Sequence, residues 1–348
     1  MRVLKERFGE IEGREIYAFI LSNENGIEVT AINYGCIITK ILAPDQFGNI
    51  GNIVLGHETL EEYVRDASFL GAVAGRAAGR IAGGEFELDG EHFKLARNNG
   101  ENHLHGGIKG FNKAVWDAEP FESGVRFRYF SPDGEEGYPG NLNAVVTYTL
   151  DDQNQLNVQY EAETDKKTIV TLTNHSYFNL SGDLKRDVLR HTLQLKSDQF
   201  LELDEGFIPT GALLDVKDTP FDFIEGREIA EGTVSGHPQN VLAGKGYDHP
   251  FILNTHHDEE IGLYDPESGR TLTVETDQPA VVVYSGNSLD SSSDFRGKKG
   301  ERYLGICLET QGYPDAVHHP EFPSTELDVN EKYLSKTVFR FGLKREGK

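Results

Sequence analysis

The sequence predicts an all-β protein built as one large antiparallel β-sandwich. Three observations lead there. Apolar and polar residues alternate with a period of two in many short runs, while helical periodicity is confined to one short segment. Turn-forming residues separate those runs, and the chain holds 38 glycines. No alternating series of strands and helices is present, which disfavours a doubly wound parallel sheet.

The elements follow in order. Residues 28–32 and 37–42 read as strands, residues 60–65 as a short helical turn, and residues 125–130 as a further strand. Leu142, Ala144, Val146, Tyr148 and Leu150 then alternate with Asn143, Val145, Thr147 and Thr149. After the turn Asp151-Asp152-Gln153-Asn154 the alternation resumes at Leu156, Val158 and Tyr160, so this stretch is a hairpin. Residues 168–173 and 191–195 are strands. A second hairpin joins 261–264 to 272–274 across the turn 265–269. Strands at 280–284, 304–309 and 337–343 complete the chain. The loop 131–140 (SPDGEEGYPG) is too short to link domains and no internal repeat is visible, so residues 1–348 are expected to form a single domain.

Composition excludes several function classes. The formal net charge is −23 with no basic run to offset it, which opposes binding to nucleic acid or to an anionic membrane. No apolar stretch is long enough to span a bilayer, and the first residues are charged rather than apolar, so a cytoplasmic protein is expected. Cys36 and Cys307 stand far apart without metal-site spacing. No disulfide is expected between them, and neither has the neighbours of a nucleophilic thiol.

Four polar segments interrupt the strand pattern. The first, residues 75–84 (GRAAGRIAGG), matches no phosphate-loop pattern, and its Arg80 suits hydrogen bonding to an uncharged polar ligand. In the second, Asn102-His103-Leu104-His105-Gly106-Gly107, the two histidines would share one face of a strand. That spacing permits a metal, but no second Cys/His cluster completes a ligand set, so no metal is assigned. The third, residues 173–180 (TNHSYFNL), follows an apolar strand. Its His175 can exchange a proton near neutral pH, while Tyr177 and Phe178 offer an apolar wall.

The fourth is a pair of carboxylates, Asp248 and Glu309. Glu309 ends the run Leu304, Ile306, Leu308 and shares the face of Gly305 and Cys307, where partial desolvation would raise its pKa and suit proton transfer. Two carboxylates also fit a glycosidase. The doubled His256-His257 and His318-His319 read as loop residues without a role.

Taken together and in this order, GRAAGRIAGGEF, NHLHGG, GEEGYPG, TNHSYFNL, YDHPF and LETQGYPDAVHHPEFPS resemble the galactose mutarotase family of aldose 1-epimerases. With the flanking strands the resemblance covers essentially the whole chain. It implies the galactose mutarotase-like supersandwich fold, an open sugar cleft, and interconversion of the α and β anomers of free aldohexoses such as galactose and glucose. It implies no metal or organic cofactor. By position, the resemblance makes Glu309 the catalytic base and His175 the catalytic acid. It assigns sugar binding to Arg80, His105, Tyr177 and Asp248.

Two positions depart from many relatives. Gly79 stands where an Asn precedes the binding Arg, and Val282 where some place a Gln. Each change removes a hydrogen bond to a sugar hydroxyl, which leaves the preferred hexose open. The expected partner is therefore a small-molecule aldose, with no nucleic acid and no membrane, bound by a monomer or homodimer. A non-catalytic sugar-binding protein and a sugar-phosphate epimerase on the same fold are the rival readings. The second would want further cations in the cleft.

Overall fold

The structure is a computed structural model that describes residues 1–344. Three antiparallel sheets dominate it. A five-stranded sheet runs Arg2–Ile11, Arg14–Ser22, Glu28–Ile32, Ile38–Pro44 and Ile50–Asn52, each strand beside the next in sequence. A nine-stranded sheet carries the Leu142–Leu150 and Gln155–Thr164 hairpin at its centre, beside the long Tyr333–Leu343 strand. A six-stranded sheet has the order Tyr177–Phe178, Ile306–Gln311, Ala280–Tyr284, Asp248–Ile252, Gln199–Leu203 and Pro209–Asp215.

The period of two decides which residues meet. In the central hairpin Leu142, Ala144, Val146, Tyr148 and Leu150 are buried opposite Leu156, Val158, Tyr160 and Ala162. Its turn is held by Asp151, whose Oδ1 accepts the N–H groups of Gln153 and Gln155. The same alternation splits the six-stranded sheet into two faces. Ile306, Leu308, Val281, Val283 and Phe251 turn inward and join one core cluster with Val146, Val158 and Phe339 of the nine-stranded sheet. Thr310 and Thr337 bridge the two sheets through their hydroxyls at 2.6 Å. The other face presents Cys307, Glu309 and Gln311 beside Tyr284 and Val282, with Asp248 and Pro250 one strand further on.

Two expectations need correction. The run 168–173 is not one strand. Thr168–Ile169 pairs with Glu326–Leu327, and Thr173–Asn174 pairs with Val73–Ala74, because the chain changes partners between them. The 304–309 strand is shifted to Ile306–Gln311, since its pairing with Ala280–Tyr284 continues through Thr310 and Gln311. Glu309 therefore lies inside a strand rather than at its end. The one short helix expected, Leu60–Arg65, is present with a Thr59/Glu62 capping box. Cys36 and Cys307 are free and buried. Among the described residues no helix is long and apolar enough to cross a membrane.

Candidate active site

The outer face of the six-stranded sheet floors a cleft of about 670 Å³, within the usual range for a small-molecule site. Gly79, Arg80, His105, His175, Tyr177, Asp248, Val282 and Glu309 all line it. Residues up to 130 positions apart in sequence are brought together by strand register. Tyr177, Cys307, Tyr284 and Asp248 form one cross-strand row, and Glu309, Val282 and Pro250 form the next.

Glu309 is the centre of the constellation. It is 2 % exposed, and its Oε2 has no protein hydrogen-bond partner. His175 Nε2 stands 3.5 Å from Glu309 Oε1, and His105 Nε2 stands 4.0 Å from Oε2. Burial pushes the Glu309 carboxyl well above the usual carboxylate range. The charge of Asp248 adds to that shift and Arg80 opposes it. Burial lowers His175 to about 4 and holds His105 well below the ordinary imidazole value. Both members of the Glu309–His175 pair are thus driven toward their neutral forms, the protonated carboxyl and the unprotonated imidazole.

The segment carrying His105 is shaped by glycine. Gly106 has φ +87°, and a Cβ there would lie 1.7 Å from the Gly75 carbonyl oxygen, so no other residue fits that close approach. His105 itself adopts a left-handed conformation, which ends the strand at Leu104. The two histidines therefore diverge instead of sharing a face. His103 is buried between the Ala96 carbonyl and the Tyr138 hydroxyl and is structural. His105 turns into the cleft, where its Nδ1 accepts the Gly79 N–H at 3.2 Å. That bond puts the proton of the neutral ring on Nε2, facing Glu309.

The same polarity bears on metal binding. His105, His175 and Glu309 offer ligand atoms within 4.8 Å of one another, the donor set of a three-ligand zinc site. A metal-ligating histidine donates its second ring N–H to an acceptor. His105 instead faces an N–H donor, so its Nε2 cannot present a lone pair without breaking that bond. The residues do not fit a metal.

The remaining site residues divide by role in the geometry. Arg80 is anchored by its Nε–H to Asn99 Oδ1 at 3.0 Å, with its guanidinium 5.0 Å from the Phe207 ring. Asp248 has its carboxyl raised by burial, with Arg80 pulling the other way. Tyr177 lines the cleft, while its hydroxyl donates to the Ser68 carbonyl. Phe178 points to the opposite side, into the core against Phe339, and is no part of the wall expected for it. Arg76, from the same glycine-rich segment as Arg80, is fully buried and donates to Ser131, Pro132, Pro139 and Gly140, so its role is to hold the 131–140 loop. His318 and His319 close on Asp315, whose N–H bonds the Arg80 carbonyl.

Sequence reasoning missed several lining groups: Asn99, Phe207, Gln311, the His57–Asp66 pair and the 288–294 rim. It also missed Phe69, whose ring lies 4.7 Å from His105 and 5.9 Å from His175. Gln311 stands within the LETQ stretch and residues 288–294 form the polar run SLDSSSD, but Asn99, Phe207, Phe69 and the His57–Asp66 pair fall in no recognisable motif.

Comparison with known proteins follows the same outline. The family model described as aldose 1-epimerase matches residues 17–340. A galactose mutarotase from Bos taurus is 43% identical over 91% of this chain and 92% of its own. An aldose 1-epimerase from Escherichia coli is 36% identical over 95% of this chain and 96% of its own. Among solved structures, a galactose 1-epimerase from Lactobacillus acidophilus superposes with a TM-score of 0.87 at 31% identity, covering 99% of each chain.

Proposed function

The chain belongs to the aldose 1-epimerase family and interconverts the anomers of aldoses, and from that premise we propose that Glu309 and His175 are its acid/base pair and that free aldohexoses are its substrates. The observation that carries the pair is their placement side by side, 3.5 Å apart, on the floor of the cleft. Mutarotation asks for that arrangement. The two oxygens that exchange protons, the anomeric hydroxyl and the ring oxygen, are both bonded to C1. Their acid and base must therefore be neighbours, unlike the opposed carboxylates of a glycosidase.

Glu309 takes the proton from the C1 hydroxyl, and His175 delivers one to the ring oxygen as the C1–O5 bond breaks. The open aldehyde turns about C1–C2 and recloses on its other face, which reverses both transfers. Protonated Glu309 with neutral His175, and ionised Glu309 with protonated His175, differ only in the position of one proton. Ring opening moves the pair from one form to the other, and ring closure moves it back, so no proton is gained or lost over a cycle. His105 offers its Nε2–H beside Glu309, and Arg80, Asp248 and Tyr177 hold hydroxyls around the ring. The rate should be bell-shaped in pH, because adding a second proton to the pair or removing its only one stops the exchange.

The charge of the cleft argues against phosphorylated sugars. Six carboxylates line it (Glu62, Asp66, Asp248, Asp290, Asp294, Glu309) against two guanidiniums, Arg65 and Arg80. The proposal extends to a single-domain protein, cytoplasmic, acting as a monomer or homodimer. Polarimetry of freshly dissolved α-galactose, α-glucose and galactose 6-phosphate tests the substrate class. Rapid anomerisation of the free hexoses with little effect on the phosphate is expected, and the reverse preference would overturn it.

A further inference from the structure

Phe69 contacts both imidazoles of the site yet enters none of the steps above. Its ring centroid lies 4.7 Å from that of His105 and 5.9 Å from that of His175, and the two imidazoles meet edge-on at 5.3 Å. Its backbone has φ +56°, a conformation that a bulky residue rarely adopts. Such a residue persists only where its surroundings fix it, and here they do. The Leu70 N–H is held by Asp66 Oδ2, the Gly71 N–H by the His175 carbonyl, and the His175 N–H by the Ala72 carbonyl. The Ser68 carbonyl accepts the Tyr177 hydroxyl. The segment bearing Phe69 is thus laced to the segment bearing His175, and the Phe69 backbone cannot shift away without breaking those bonds.

We infer that Phe69 is a positioning residue: a fixed apolar plate over His105 and His175 that keeps water from the acid/base pair and so sets the pH range of catalysis. The inference rests on the acid/base reading of the pair. The groups facing His175 are Glu309 at 3.5 Å, the Cys307 thiol at 3.5 Å from Nδ1, the edge of His105 and the ring of Tyr177, with Asp66 acting through its charge. None of them is removed with Phe69. Burial is the largest influence on the His175 imidazole, and it depresses protonation. Taking away the plate lets water in and raises the pH at which His175 protonates.

Phe69→Asn is the informative variant, because Asn tolerates a left-handed backbone and the fold is kept. Phe69→Leu is its apolar control. NMR titration of the His175 ring in the free protein should show the midpoint rising by about one pH unit or more in Phe69→Asn and staying near the wild-type value in Phe69→Leu. The acid limb of kcat/KM should move the same way, while KM for galactose stays within about a factor of two. An unmoved His175 midpoint in a folded Phe69→Asn protein overturns the inference. So does an equal loss of activity at every pH. Because the titration is read without substrate, it is independent of the acid/base reading, which fails separately if Glu309→Gln keeps full activity.

Discussion

Replacing His175 with Asn should flatten the acid end of the stability curve. In the folded protein burial lowers this imidazole to about 4, whereas in the unfolded chain it titrates near its ordinary value of about 6.5. The folded state therefore binds fewer protons than the unfolded state between those values. The resulting stability is fully present above about pH 6.5 and is lost as pH falls through about 4. A difference of about 2.5 units at about 1.36 kcal/mol per unit amounts to about 3 kcal/mol from this one side chain. Urea unfolding at pH 7 and at pH 4, on wild type and His175→Asn, isolates it, because the depressed histidines that do not touch His175, His103, His191, His237 and His249, are present in both proteins and cancel in the difference. Wild type should lose about 3 kcal/mol more than the variant on acidification. Parallel losses in the two proteins would refute the reasoning, since they would mean that His175 is hydrated and titrates normally.

Two further outcomes follow from neighbours of the pair. Asp248→Asn removes a charge that raises the Glu309 carboxyl, so the basic limb of the pH–rate profile should move to lower pH and galactose KM should rise. A limb that stays in place contradicts the stated coupling. Gly79 has φ +80°, and a Cβ there would sit 3.0 Å from Pro314 Cβ and 3.1 Å from Gln311 Nε2. Gly79→Ala should therefore cost about 1 kcal/mol or more by thermal unfolding, and Gly79→Asn less, because Asn accepts the left-handed region. Equal destabilisation by both would show that crowding rather than backbone conformation decides this position.

How much was legible depended on whether the signal was local. The hairpin Leu142–Leu150 and Gln155–Thr164 was readable because alternation and turn chemistry lie within one short stretch. The inward and outward faces of Ile306–Gln311 were readable for the same reason, and with them the company of Glu309 and Cys307. The break in 168–173 was not, because a change of strand partner leaves no mark on apolar periodicity. Nor was the parting of His103 and His105, which depends on the left-handed turn at His105 and Gly106 against Gly75. Polar clustering pointed to Arg80, His105, His175, Asp248 and Glu309, and the fold brings all five to one cleft. Phe69 escaped notice because an isolated aromatic in A-S-F-L-G carries no chemistry until the fold sets it over two imidazoles. The neutralising burial of Glu309 and His175 was equally hidden, since only the assembled sheet provides it.

The central claim is that Glu309 and His175 work as one proton-sharing pair. Polarimetric kcat for α-galactose in Glu309→Gln, His175→Asn and the double variant, each checked for folding, tests it most directly. Each single variant should lose a factor of about 10² to 10⁴, and the double variant should be no worse than the poorer single, because either loss alone stops the exchange. Full activity in either single variant, or losses that multiply in the double variant, would contradict it.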